Sequence, residues 1–220
     1  MNKKLRIALT AAGCIVLALA AFTVSLYGRY MTLPARIVFL SPSTQAGNIY
    51  ADGVTTERDN MNAIADLIGQ HLPDDFTVLR NDPNLTVKEA VDASNAAGSG
   101  IHVALHSNAA GTDAVVRGCE VYIRMRDYPS RRLAACVYSA VSVVTPSGDR
   151  GIKYSSTLYE VTKTKAPCVL VELDFHDNPG GSAFLTENRD ALAKAVADGI
   201  IAYYNKPVDF LSLLKSFVGM

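Results

Sequence analysis

Residues 167–179 read Pro-Cys-Val-Leu-Val-Glu-Leu-Asp-Phe-His-Asp-Asn-Pro. The apolar run 168–171 after a proline is typical of a central strand that is covered on both faces. Glu172 interrupts the run, and three ionisable residues follow it closely: Asp174, His176 and Asp177. A carboxylate at the end of a buried strand is costly unless it is paired, hydrogen-bonded or near a metal. The stretch therefore predicts a buried strand that ends in a functional site, provided that a second polar cluster faces it.

Outward from this strand, the chain alternates between strand and helix patterns. Helices are predicted from a cap at Thr55 or Thr56 to about 70–73, from the capping box at Thr86 to about 97, and over 130–144 and 182–204. Strands are predicted at 36–40, 76–79, 101–105, 118–125 and 168–173, with a short one at 158–161. The alternation indicates an α/β fold: a mostly parallel twisted sheet of about six strands, flanked by helices.

The N-terminal region has the pattern of an export segment. The chain has 220 residues, of which 49% are hydrophobic, enough for one globular domain. A basic head precedes an uncharged run over 7–26, which is long enough to span a membrane as a helix and leave the rest of the chain on the outer face. We expect 1–27 to be a membrane anchor or signal peptide, 28–35 a linker, 36–205 the catalytic domain and 206–220 an amphipathic segment.

Two alternatives to a retained anchor are open. Ala18-Leu19-Ala20 has the small-x-small pattern of a signal peptidase site, so the domain is secreted if cleavage occurs there. The sequence before Cys14 only faintly resembles a lipoprotein acylation site, because its apolar stretch is too short. The expected location is the cell membrane, single-pass with the domain extracytoplasmic, or outside the cell after cleavage.

Charge and cysteine content exclude two classes of protein. Of the 21 basic residues, 18 remain after residue 27 against all 21 acidic ones, so the body carries about −3 and no basic field for nucleic acid. Three cysteines remain there, with no CxxC spacing, so a disulfide framework is not expected.

Three polar features fall where strands are predicted to end. They are the loop after residue 40, His106 after the third strand, and Glu172; Glu57 opens the helix after the first loop. Ligand sites of open α/β sheets gather at the carboxyl ends of strands. One histidine, one glutamate at a helix start and a further glutamate from a distant strand would together make a zinc-hydrolase set of two ligands and a general base.

These residues also carry a family resemblance. Thr-Glu-Arg at 56–58, Ala-Leu-His-Ser-Asn-Ala at 104–109 and Val-Glu-Leu-Asp-Phe-His-Asp-Asn at 171–178 resemble motifs of zinc-dependent N-acetylmuramoyl-L-alanine amidases, over about 36–204. The resemblance implies Zn²⁺ as cofactor, with Glu57 and His106 as ligands and Glu172 as the catalytic glutamate. It also implies peptidoglycan as substrate, cut between the muramic acid lactyl group and the first L-alanine of the stem peptide.

The first loop departs from that family. Most members have a further ligand histidine there, whereas this chain has Ser-Pro-Ser-Thr-Gln at 41–45, which resembles a variant of Gram-positive bacteria and their phages. Three possibilities remain for the third ligand: the amide oxygen of Gln45, the imidazole of His176, or no protein ligand. Asn108 is expected either to contact substrate or to hold its loop, and Asn48 to contact substrate.

The remaining histidines are expected to be structural, His71 on the surface at a helix end and His102 partly buried on the third strand. Two other functions compete with the amidase. The loss of the loop histidine favours an inactive, amidase-like peptidoglycan-binding or regulatory protein, whereas a zinc peptidase would use the same residues on a bond within the stem peptide.

Overall fold

The computed structural model describes residues 13–18, 33–111, 115–146 and 150–205. Residues Pro34–Pro207 form one compact unit, and residues 13–18, outside it, are helical. No helix in the described ranges is long and apolar enough to cross a membrane. The anchor predicted over 1–27 lies outside the described residues except for 13–18, and the amphipathic segment predicted over 206–220 lies wholly outside them.

The described unit alternates strands and helices, as the sequence pattern predicts. The strands are β1 (Ile37–Pro42), β2 (Thr77–Arg80), β3 (Ile101–Asn108), β4 (Glu120–Ile123), β5 (Ile152–Tyr154) and β6 (Cys168–Phe175). The helices of this unit are α1 (Glu57–His71), α2 (Val87–Ala96), α3 (Tyr128–Val144), α4 (Tyr159–Lys163), α5 (Pro179–Glu187) and α6 (Arg189–Asn205).

The six described strands form one mixed sheet in the order β2-β1-β3-β6-β4-β5. Strands β2, β1, β3 and β6 are parallel, whereas β4 runs antiparallel to β6 and pairs in parallel with β5. Strands β3 and β6 are central, and Val103, Val169 and Val171 on them are fully buried. The α/β class and the count of six strands are confirmed, and the carboxyl ends of β1, β3 and β6 meet at one edge.

The helices begin where the sequence places caps. The Thr56 side chain accepts a hydrogen bond from the Asp59 amide at the start of α1, and Thr86 forms the predicted capping box with Glu89 at the start of α2. Helices α1 and α3 both pack against α6, and α2 packs against α4. In α6, Gly199 allows this close approach, since a β-carbon there would lie 2.5 Å from the α-carbon of Val137 in α3.

Two predicted elements are wrong. Residues 158–161 were expected as a strand, but Leu158 is the N-cap of helix α4, which begins at Tyr159. Leu158 and Val161 are three residues apart, as one helix face requires, and the Leu158 amide donates to the Ser155 hydroxyl. The sixth strand is instead β5, at Ile152–Tyr154. The helix expected over 182–204 is two helices. Helix α5 ends at Glu187, and the side chain of its C-cap, Asn188, donates to the carbonyl of Phe184.

Candidate active site

The site lies in the carboxyl-terminal halves of β3 and β6, where His106 and Glu172 are register partners. Both residues were predicted at strand ends, but β3 continues to Asn108 and β6 to Phe175, because the two strands keep pairing beyond this point. Partners on neighbouring parallel strands are about 4.8 Å apart and point to the same face. The sheet therefore brings together two residues that are 66 positions apart in sequence. Glu57 reaches the same edge as the first residue of α1, since its cap, Thr56, ends the preceding loop.

His106 lies between two buried carboxylates. Its Nδ1 is 2.9 Å from Glu57 Oε1, and its Nε2 is 3.1 Å from Glu160 Oε2. Burial alone would lower the pKa of His106, but the hydrogen bonds to Glu160 and Glu57 and the surrounding negative charge outweigh it and raise the pKa well above its usual value. The two flanking carboxylates therefore favour the protonated form of the imidazole in the metal-free protein.

Glu57 is 1% exposed and fully engaged at the sheet edge. Besides His106, its carboxylate accepts from Asn48 Nδ2 at 2.6 Å and from the Ser107 amide at 3.3 Å. Burial raises the pKa of Glu57, but the contacts with His106 and Asn48 more than offset this and hold it below its usual range. Asn48 Nδ2 also donates to Gln45 Oε1 at 3.1 Å, so the first loop is linked through Asn48 to Glu57.

Glu172 has the environment of a proton acceptor. Burial is the main reason that its pKa rises to about 7, and the negative charges of Glu57, Glu120 and Glu160 add to this while His106 opposes it. Its Oε2 is buried and has no hydrogen-bond partner within the described residues. A carboxyl with a pKa near neutrality can both take up and release a proton at physiological pH.

Glu120 adds a second buried carboxylate beside Glu172, its register partner across the antiparallel β4·β6 pair. The Glu120 oxygens accept from Arg150 at 2.7 Å and from Lys153. Burial would raise the pKa of Glu120, but these two cations outweigh the burial and lower it. Asn108 Nδ2 donates to Glu120 at 2.8 Å. Asn108, predicted to bind substrate or hold its loop, thus joins the end of β3 to β4.

None of the other three histidines contacts the Glu57–His106 pair directly in the described part of the chain. His176 Nδ1 is 2.9 Å from the Ser107 carbonyl, and its ring stacks on Tyr50 with centroids 5.3 Å apart. His102 is fully buried, with Nδ1 at 3.0 Å from Ser94 Oγ. His71, at the end of α1, is near Asp190.

Sequence reasoning missed Glu120 and Glu160. Glu120 interrupts an apolar segment much as Glu172 does, so the same signal was present in the sequence. Glu160 lies in a five-residue helix with no motif around it. Only the fold shows that it contacts His106.

The donor chemistry at His106 suits zinc, which takes imidazole nitrogen and carboxylate oxygen as ligands. Glu57 Oε1 and His106 Nδ1 converge at 2.9 Å, which supplies one donor of each kind. Across the described ranges, no group of three or more His, Cys, Asp and Glu side chains is arranged to hold a metal ion. The pair therefore gives two candidate ligands.

Together, the fold and the site define an α/β domain with a carboxylate–imidazole pair and a largely buried glutamate of raised pKa on neighbouring strands. A family model described as N-acetylmuramoyl-L-alanine amidase matches residues 42–202. The chain therefore belongs to the N-acetylmuramoyl-L-alanine amidase family.

Individual relatives show how far the similarity extends. An uncharacterized protein, YqiI of Bacillus subtilis strain 168, is 33% identical over 131 residues; the match covers 57% of this chain and 62% of that relative, less than two thirds of its length. The catalytic domain of CwlV, an N-acetylmuramoyl-L-alanine amidase from Bacillus (Paenibacillus) polymyxa, has a TM-score of 0.70 at 22% identity, covering 77% of this chain and 98% of that one. An amidase from Clostridium difficile 630 has a TM-score of 0.72 at 22% identity, covering 79% and 98%. The solved structures share the fold.

Proposed function

We propose that this chain is a zinc-dependent peptidoglycan hydrolase that cleaves the amide bond between N-acetylmuramic acid and the L-alanine of the stem peptide. Family membership supports the amidase class. The observation that carries the proposal is the Glu57–His106 pair beside Glu172, a largely buried carboxyl with a pKa of about 7 and an unpartnered oxygen.

In this proposal, Glu57 and His106 hold the zinc ion, and Gln45 is the favoured third ligand. Gln45 is favoured because Asn48 already connects its side-chain oxygen to Glu57. His176 is the less favoured candidate, because its Nδ1 is occupied by Ser107. A bound zinc ion would supply Lewis acidity toward the amide carbonyl and toward water.

Glu172 acts as general base and then as general acid. It accepts a proton from the attacking water and donates a proton to the leaving amine of L-alanine. Its pKa of about 7 suits both steps, because neither protonation state dominates strongly at neutral pH. Asn48, which donates to Glu57, and Asn108, which donates to Glu120, are the proposed contacts to the glycan–peptide junction.

The test is digestion of purified peptidoglycan by the full chain with added zinc, with products identified by mass spectrometry. Intact stem peptides with a free L-alanine amine are expected from wild type and from Glu187→Gln, which alters an exposed carboxylate. Glu172→Gln should release at least about 100-fold less, because general-base catalysis contributes that much or more.

Other products or no products would reject the proposal in distinguishable ways. Fragments cut inside the stem peptide would identify a peptidase. Peptidoglycan binding without release by any variant would identify a binding or regulatory protein, the reading that the altered loop at 41–45 favours.

We also propose, from the basic head and the apolar run over 7–26, that the amidase unit is held at the outer face of the cell membrane. Protease added to intact protoplasts should then digest this unit while leaving a cytoplasmic marker intact. Protection of the unit from protease would reject the proposal.

A further inference from the structure

Glu160 is a buried carboxylate in contact with the site, and the proposed chemistry gives it no role. It comes from α4, where the next residue, Val161, packs against Ala104 of β3 and Leu170 of β6. Ala104 lies on the same face as His106 and two positions before it. The Glu160 carboxylate therefore approaches His106 from the interior of the protein, and Glu160 is only 4% exposed.

Both oxygens of Glu160 are held by neighbouring side chains. Oε1 accepts from Ser41 Oγ at 2.6 Å and lies 3.3 Å from His102 Nε2, while Oε2 lies 3.1 Å from His106 Nε2. Burial would raise the pKa of Glu160, but the contacts with His102 and His106 reverse this and lower it below its usual range. The carboxylate is fixed and charged, as an anchor for an imidazole requires.

The two sides of the His106 ring differ. On the Nδ1 side, Glu57 is accompanied by Asn48, from the loop at the sheet edge. On the Nε2 side, Glu160 contacts His102, which is fully buried. A metal-binding histidine usually donates its second N–H to a carboxylate, which fixes the tautomer and the ring orientation.

We propose that Glu160 is a positioning residue that accepts the Nε2–H of His106 and thereby directs Nδ1 toward Glu57, where the metal would bind. The inference rests on the proposed zinc function. In this proposal, Ser41 and His102 hold the Glu160 carboxylate in place through its Oε1. The proposal also explains why a charged side chain is buried against Nε2 of His106.

Two measurements on the purified full chain test this assignment. Nitrogen-15 NMR of the metal-free protein reports whether His106 Nε2–H is hydrogen-bonded and protected from exchange, with its signals identified by their loss in His106→Gln. Competition with a chromophoric chelator gives the zinc dissociation constant. The variants are Glu160→Ala, Glu160→Gln and the exposed control Glu187→Gln.

Glu160→Ala should lose the protected Nε2–H signal and weaken zinc binding about 10- to 100-fold, the usual effect of removing a residue that orients a ligand. Glu160→Gln should retain the signal and bind zinc within about threefold of wild type, because its amide oxygen can still accept the hydrogen bond. Glu187→Gln should match wild type in both measurements.

Unchanged His106 signals and zinc affinity in Glu160→Ala would overturn the proposal. So would zinc loss in Glu160→Gln as large as in Glu160→Ala, because the carboxylate would then act as a ligand and not as a hydrogen-bond acceptor. If Glu160→Ala does not fold, loss of the Nε2–H signal in Glu160→Gln decides against it. A wild type that binds no zinc would instead reject the proposed metal function, while NMR of the metal-free protein still decides the role of Glu160.

Discussion

Glu172 should destabilise the metal-free protein at neutral and alkaline pH, so Glu172→Gln should stabilise it there. The pKa rises from 4.5 to about 7 on folding, mainly because the carboxyl is buried. At about 1.4 kcal/mol per pH unit, this corresponds to a cost of roughly 3 kcal/mol for the ionised form. Part of the Glu172 side chain reaches solvent, which screens its charge. We therefore expect Glu172→Gln to raise the free energy of unfolding by about 2 kcal/mol.

The pH dependence follows from the direction of the shift. The folded state binds the Glu172 proton more tightly than the unfolded chain does. The stability that the protonated carboxyl contributes is therefore fully present below the unfolded pKa, and it is lost as the pH rises through the folded pKa of about 7. Glutamine cannot ionise, so Glu172→Gln lacks this loss. The two proteins should be about equally stable at pH 4 and differ by about 2 kcal/mol at pH 8.

Urea denaturation of the full chain in EDTA, at pH 4, 6 and 8, measures the difference directly. Glu187→Gln is the matched control, because it removes the same charge from an exposed position. A Glu172→Gln protein that is no more stable than wild type at pH 8 would refute the reasoning. A gain of equal size at every pH would also refute it, because the effect would then come from packing and not from ionisation.

Three further predictions concern the metal and the packing. His106→Ala should bind zinc at least about 100-fold more weakly by chelator competition, since it removes one of two proposed ligands; wild-type affinity would exclude His106 as a ligand. Gly199→Ala should lower the free energy of unfolding by about 1 to 3 kcal/mol in urea, because its β-carbon would lie 2.5 Å from a backbone atom of α3. Gly69→Ala in α1 meets only a 3.9 Å contact and should raise it by about 0.5 to 1 kcal/mol; effects of the same sign would contradict the packing argument. Arg117→Met should cost about 3 to 5 kcal/mol, because it leaves the fully buried Asp174 carboxylate without its 2.7 Å ion pair; a loss below about 1 kcal/mol would show that this pair is not needed.

Local patterns in the sequence predicted most of the elements and pointed to several candidate site residues. The apolar run at 168–171 predicted the central strand β6, and Thr56 and Thr86 predicted the starts of α1 and α2. These signals are readable because capping and strand burial depend on residues a few positions apart. The same logic placed Glu57 correctly at a helix start, but it ended the third strand before His106, whereas β3 continues to Asn108.

The short elements were less predictable. Four residues at 158–161 are too few to separate a strand from a helical turn, and β5 has only three residues. Register was equally inaccessible, because the antiparallel placement of β4 beside β6 depends on packing and not on any local pattern.

The sequence by itself determined the class of fold, the central strand and the placement of Glu57, His106 and Glu172, because each is specified by neighbours along the chain. Only the tertiary structure decided which groups surround them. Glu160 is 54 residues from His106 and Glu120 is 52 residues from Glu172, yet these pairs are in contact or in register. Burial and mutual charge set the pKa of Glu172, and these are properties of the assembled site.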